Sequence, residues 1–136
     1  MAKNTGLLEI ARGGHIYAIV LRKEFDKPGP NFFTPGEFSQ QLGLLAHPKG
    51  KVVKRHRHKL VKREIFRTQE VLVLLQGRIR VELFDDAGDK LKALIMKAGD
   101  AILLARGGHK VTVLEDAKII EVKQGPYAGF DDKEFF

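Results

Sequence analysis

The chain has 136 residues, 43% of them hydrophobic, enough for one well-buried core and too few for two ordinary domains, so one domain over 1–136 is expected. Cysteine is absent, which removes disulfides, zinc–thiolate sites, iron–sulfur clusters and a cysteine nucleophile, and leaves any bound metal to nitrogen and oxygen donors. The net charge of +7 permits attraction to anionic partners, but bulk charge bears on solubility and not on fold.

At the N-terminus, MAKNTGLLEIARGG has no long apolar run behind a basic start, and nowhere do eighteen apolar residues run together. A soluble, cytoplasmic protein with no membrane partner is the expectation. Fourteen glycines, five prolines and many short β-branched or leucine-rich runs between turn residues point to an all-β fold. Strands are predicted over 15–22, 37–46, 51–60, 70–75, 78–84, 90–96, 101–104, 110–114 and 118–123. The stretch 25–35, with three of the five prolines, reads as an irregular crossing or lid. Gln76-Gly77 reads as a tight turn, Asp85 to Asp89 as a strand-connecting loop, and Lys97 to Asp100 as a break. So many short strands suit a sandwich or a barrel.

In EVLVLL (70–75), Leu72 shares a face with Glu70 while Val71, Val73 and Leu75 point the other way, so both faces need cover. A homodimer is the expected cover for the outer one, with the N-terminal strand or Phe130, Phe135 and Phe136 as the competing covers.

His56 and His58 carry the most information. Residues two apart on a strand project from one face and reach a single ion. A carboxylate and a third imidazole would complete a site with open positions, and the sequence offers both. If 59–69 forms an extended antiparallel hairpin, Glu70 falls opposite His58; His109 follows Gly107-Gly108 and shares a face with Val111 and Val113. Nine basic residues lie between Lys49 and Arg67 against one acid, Glu64. The ordinary fate of such a run is a solvated face, with Arg55 and Arg57 pointing away from the histidines. The sharper reading has Lys54 and Arg63 or Arg67 draw an anionic substrate to a pocket, with Tyr127 at its mouth. Stacking aromatics are sparse, so nucleic acid is not an expected partner.

Gly50, His56, His58, Glu70 and Gly77 match G-x5-H-x-H followed by E-x6-G, and Gly99 to His109 is similar to G-x5-P-x-G-x2-H. On these residues the chain resembles the cupin superfamily over about 38–123. The resemblance implies a double-stranded β-helix, or jelly-roll barrel, with His56, His58, Glu70 and His109 as ligands of one divalent ion: iron, manganese, nickel or zinc. This sequence departs from the pattern in three ways. Eleven residues separate His58 from Glu70, which leaves Glu64 as a rival ligand; Ala105 replaces the proline; and His109 comes one residue early. The ending from Glu121 to Tyr127 looks like that of small bacterial cupins met with surface-polysaccharide genes. The resemblance implies isomerase, epimerase or oxygen-dependent chemistry on a small anionic, sugar-like molecule. Its alternatives are a metal-independent sugar ketoisomerase-like enzyme, or a non-catalytic ligand-binding or sensor module.

Overall fold

A computed structural model describes residues 6–136, apart from the side chains of Phe130 and Asp131. The first five residues, part of the stretch read above for a leader, and the expected docking of Phe130 lie outside that description. Eight strands follow in chain order: β1 (Leu7–Arg12), β2 (His15–Leu21), β3 (Gly29–Phe32), β4 (Gly43–Ala46), β5 (Glu70–Phe84), β6 (Lys90–Lys97), β7 (Ala101–Leu104) and β8 (Gly108–Lys123). A short 3-10 turn at Gly129–Asp132 completes them. The chain is all-β, and its main antiparallel sheet curls into a half-barrel.

The sheet runs β1-β2-β7-β5-β6, with β8 on the other side of β5. β6 and β7 lie end to end along one edge of β5, with Lys97 opposite Arg78 and Ala101 opposite Val73. β8 follows the whole of β5, from Lys123 opposite Glu70 to Gly108 opposite Phe84. Among the described residues the far edge of β8 has no partner.

All of these strands bend along one line. The β5–β8 register shifts between Leu74 and Ile79, and β6 gives way to β7 at the same level. Gly77 sits there at φ +86°, in the left-handed region, where an added Cβ would collide with the Asp116 carbonyl oxygen of β8. The bulge also resets the alternation: Leu72 and Leu74 precede it and Ile79, Val81 and Leu83 follow it, yet all five face one core. That core, with Val20, Leu94, Met96 and Ile102, fills the inside of the curl.

Asp100 holds the corner on the β6–β7 side. Its carboxylate, only 2% exposed, accepts hydrogen bonds from the Arg22 guanidinium and from the backbone N–H groups of Lys23 and Lys97, each at 2.9 Å. Arg22 also donates to the Ile95 carbonyl at 2.6 Å.

Several expectations change. The segments 70–75 and 78–84 are one bent strand, because Gln76-Gly77 is a bulge inside a ladder and not a hairpin turn. The segments 110–114 and 118–123 are likewise one strand, paired to β5 on both sides of the bend. Of 37–46 only Gly43–Ala46 is a strand, paired with the unexpected β3; β1 was also not anticipated. The expected strand 51–60 does not form: residues 47–68 are exposed without regular structure, and no neighbouring backbone supplies a ladder. The hairpin over 59–69 is absent for the same reason, and Glu70 pairs with Leu104 and Lys123 instead.

The outer face of the β5 start is covered by the chain itself. Val71 and Val73 pack with Phe25, Phe33, Phe38, Leu42 and Leu44, so the crossing after β2 and the β3–β4 ribbon do what was expected of the N-terminal strand or a second copy. Gln69, also buried, fastens that cover. Its amide oxygen accepts from the Gln40 N–H at 3.1 Å and the Ser39 hydroxyl at 3.3 Å, and its own N–H donates to the Gln124 amide oxygen at 2.8 Å.

Two substitutions test the corner by urea denaturation. Gly77→Ala should cost at least about 3 kcal/mol, since strained φ and a backbone collision act together. Asp100→Ala should cost about 3 kcal/mol, because it takes the shared acceptor from one guanidinium and two part-buried N–H groups. Losses under about 1 kcal/mol for both would mean the bend does not depend on these contacts.

Candidate functional site

Folding at Gly77 brings the two ends of the β5–β8 ribbon together. Glu70 opens β5 and His109 lies opposite Leu83 near its end, yet His109 Nε2 and Glu70 Oε1 are 3.2 Å apart. Both side chains point inward, Glu70 in line with Leu72 and His109 in line with Val111. They stand in a cleft of about 750 Å³ at the open mouth of the curl. One wall carries Arg67 and Thr68, another the Asp85–Gly88 loop, and a third the C-terminal residues 132–136. Phe136 packs edge-on against Phe84 with ring centroids 5.6 Å apart. It passes so close to Gly108 that a Cβ there would meet its ring.

Glu70 is 15% exposed and His109 34%. The imidazole hydrogen bond holds the Glu70 carboxyl down at about 2, outweighing the opposing effect of burial. A hydrogen bond with Glu121 and the charges of His109 and Lys123 lower it further. Glu121 moves the opposite way: its hydrogen bond to Glu70, burial and the Glu70 charge all raise it. One carboxyl group therefore stays ionised while its neighbour keeps its proton to higher pH. Lys123, on the same face, lies 3.5 Å from Asp132.

The cleft's remaining charges are largely paired. Asp85 accepts from Arg12 at 2.9 Å, and Asp86 accepts from Arg106 at 2.6 Å and lies 4.0 Å from Arg67. A smaller cleft of about 390 Å³ lies on the other side of Arg67, where residues 64–67 face His15, Phe38 and Arg106.

Of the four expected metal ligands, the structure brings Glu70 and His109 together. His56 and His58 stand on the exposed segment, their rings 5.5 Å apart, with His56 Nδ1 2.7 Å from the Lys54 carbonyl oxygen. Glu64 is exposed and lies 3.9 Å from Lys62, away from His109's partner carboxylate. Among the described residues no three His, Cys, Asp or Glu side chains form a group able to hold an ion. Nitrogen and oxygen donors of the right kind are present, Glu70 and His109 in the cleft and His56 and His58 on the exposed segment. Of the expected substrate-binding residues, Arg67 lines both clefts, whereas Lys54 and Tyr127 line neither.

Glu121, Lys123 and Asp132 were not singled out from sequence. A signal existed for the first two: His109, Glu121 and Lys123 are all odd-numbered, and one uninterrupted strand puts them on one face. Among the described residues no helix is long and apolar enough to cross a membrane. Compared with protein-family models, curated proteins and solved structures, the chain has no match.

The depressed Glu70 has a signed consequence. A carboxyl group lowered from 4.5 to about 2 stabilises the fold fully above the ordinary value and loses that contribution as the pH falls toward 2. The raised Glu121 works in reverse, its contribution being present at low pH and lost as the pH rises through its folded value. Carboxyl-carbon NMR titration of a His109→Gln variant should move Glu70 up toward the ordinary carboxylate range. A Glu70 titration unchanged in the variant would remove His109 as the cause.

Proposed function

We propose that the cleft is a proton-transfer site for a small, polar, sugar-like molecule, of the kind an isomerase or epimerase requires. The observation that carries this reading is the 3.2 Å contact of Glu70 and His109 inside a cleft of small-molecule size. Glu70 engages Nε2 and fixes the ring, so Nδ1 is the nitrogen a substrate meets. Glu121, hydrogen-bonded to Glu70 and raised in proton affinity by that bond, positions the Glu70 carboxylate for the pair. Arg67 on the cleft wall is the cation that an anionic substituent would meet.

In this reading the curled sheet is a cupin-type jelly roll. Support comes from where the motif residues fall: Gly77 and Gly99, at φ +86° and +95°, lie at the corner, and the bend it makes lets Glu70 meet His109. The binding half of the proposal is read by thermal shift over a panel of sugars, uronic acids and sugar phosphates. The chemical half is read by exchange of a substrate C–H proton for solvent deuterium in the NMR spectrum. His109→Gln should slow that exchange at least about 100-fold, whereas Lys54→Ala should leave it unchanged. Equal exchange in wild type and His109→Gln would end the proposal.

The second reading adds a metal. It is favoured by the adjacent His56 and His58 rings on an uncovered segment, and by the unpaired far edge of β8 beside His109. It requires the segment to fold over the cleft; His56, His58, Glu70 and His109 would then hold a divalent ion that supplies Lewis-acid chemistry for an isomerase or an oxygen-dependent enzyme. Titration with iron, manganese, nickel and zinc should then show one ion per chain, lost in both His56→Ala/His58→Ala and His109→Ala. Affinity that survives either change would exclude this set. The same β8 edge is where two copies would pair as a homodimer, which sedimentation equilibrium reads directly.

A further inference from the structure

We infer that residues 49–67 form a docking arm for an anionic lipid surface, an interaction that depends on neither reading of the cleft. The arm carries Lys49, Lys51, Lys54, Arg55, Arg57, Lys59, Lys62, Arg63 and Arg67 against Glu64, more positive charge than the net +7 of the whole chain. The rest of the protein is therefore slightly acidic, and the chain's excess positive charge lies in the arm. Its cations are free to engage a partner. The ion pairs found along the arm are Lys62 with Glu64 at 3.9 Å and Arg67 with Asp86 at 4.0 Å, both loose. The His56 and His58 rings meet edge-on beside these cations.

Charge alone would describe a solvated face. The second observation is the apolar content of the same arm: Val52, Val53, Leu60, Val61, Ile65 and Phe66 are all exposed, Leu60 fully and Phe66 at 97%. They come as adjacent pairs, two of them between lysines and the third, Ile65-Phe66, between Glu64 and Arg67. Large apolar side chains held in water beside a dense positive charge fit a partner that offers both anions and hydrocarbon. A bilayer interface with anionic headgroups does so, taking lysine and arginine at the phosphates and apolar side chains below them. Single-stranded nucleic acid offers the anions but calls for aromatic stacking platforms, and the arm has one aromatic residue. The body follows the arm without inserting.

The test is co-sedimentation of the full-length chain with extruded vesicles at about 150 mM salt, where exposed charges act over only about 8 Å. One preparation is phosphatidylcholine alone, the other contains about a third phosphatidylglycerol. The chain should pellet with the anionic vesicles and not with the neutral ones. Binding should fall at least about tenfold both in R55Q/R57Q/K59Q/R63Q and in L60S/F66S. These residues are exposed, so circular dichroism should show both variants folded. Three results overturn the inference: no binding to the anionic vesicles, undiminished binding by L60S/F66S, or tighter binding to a single-stranded oligonucleotide than to vesicles. The second would mean bulk charge attraction only, and the third would assign the arm to nucleic acid.

Discussion

The close approach of Asp116 and Gly77 is the constraint on which the remaining architecture depends. Were β5 straight, Glu70 and Leu83 would lie about 43 Å apart at the usual rise of a strand. Instead His109, the ladder partner of Leu83, touches Glu70. That contact requires β5 and β8 to fold back together, and two backbones turn a shared corner this tightly only where one residue lacks a Cβ and accepts a positive φ. The corner makes the inner core, and the core holds the corner closed. Leu74 and Ile79, both of β5, flank the bulge and are wholly buried, each contributing about 2 kcal/mol of apolar burial.

The curl closes unevenly. On one side Ile10 of β1 and Leu94 and Met96 of β6 share the inner cluster, so apolar packing seals the gap. Opposite, β8 ends the sheet with an unpaired edge, and the inward positions near its ends carry His109, Glu121 and Lys123 where the other strands carry isoleucine, leucine and valine. Polar side chains can stand there because water reaches them, and among the described residues no strand pairs with the far edge of β8. The site and the open edge are thus one feature. A histidine on the sealed side would have had to lose its solvation and find buried partners for both ring nitrogens.

Much of this was legible in the residues and some was not, for definable reasons. The all-β class followed from turn spacing, and the strand at 101–104 is where expected because four apolar residues stand between the Lys97 to Asp100 break and the Ala105-Arg106 exit. The double cover of the β5 start followed from its two apolar faces, although the sequence does not say which element covers which face. Gln76-Gly77 was misread because a glycine with positive φ serves a hairpin turn and a bulge equally well; the difference lies in whether the flanking strands pair with each other or with third strands. Residues 51–60 alternate as a strand would, yet alternation specifies only faces, and a ladder needs a neighbour's backbone. The pairing of Glu70 with His109 was expected through a metal that gathers four residues. Curvature alone gathers two of them.

Charge is distributed differently in the cleft and in the basic segment. Inside the cleft Asp85, Asp86 and Asp132 each lie beside an arginine or lysine, so the site offers directed hydrogen bonds and little net field. The basic segment offers the reverse, many cations with few fixed partners. Interactions of the first kind depend on geometry and are weakly screened; those of the second depend on summed potential and fade with ionic strength. Arg67 belongs to both, lining the cleft wall and ending the basic run. Its loose 4.0 Å tie to Asp86, which Arg106 also holds at 2.6 Å, joins the end of the basic run to the cleft wall.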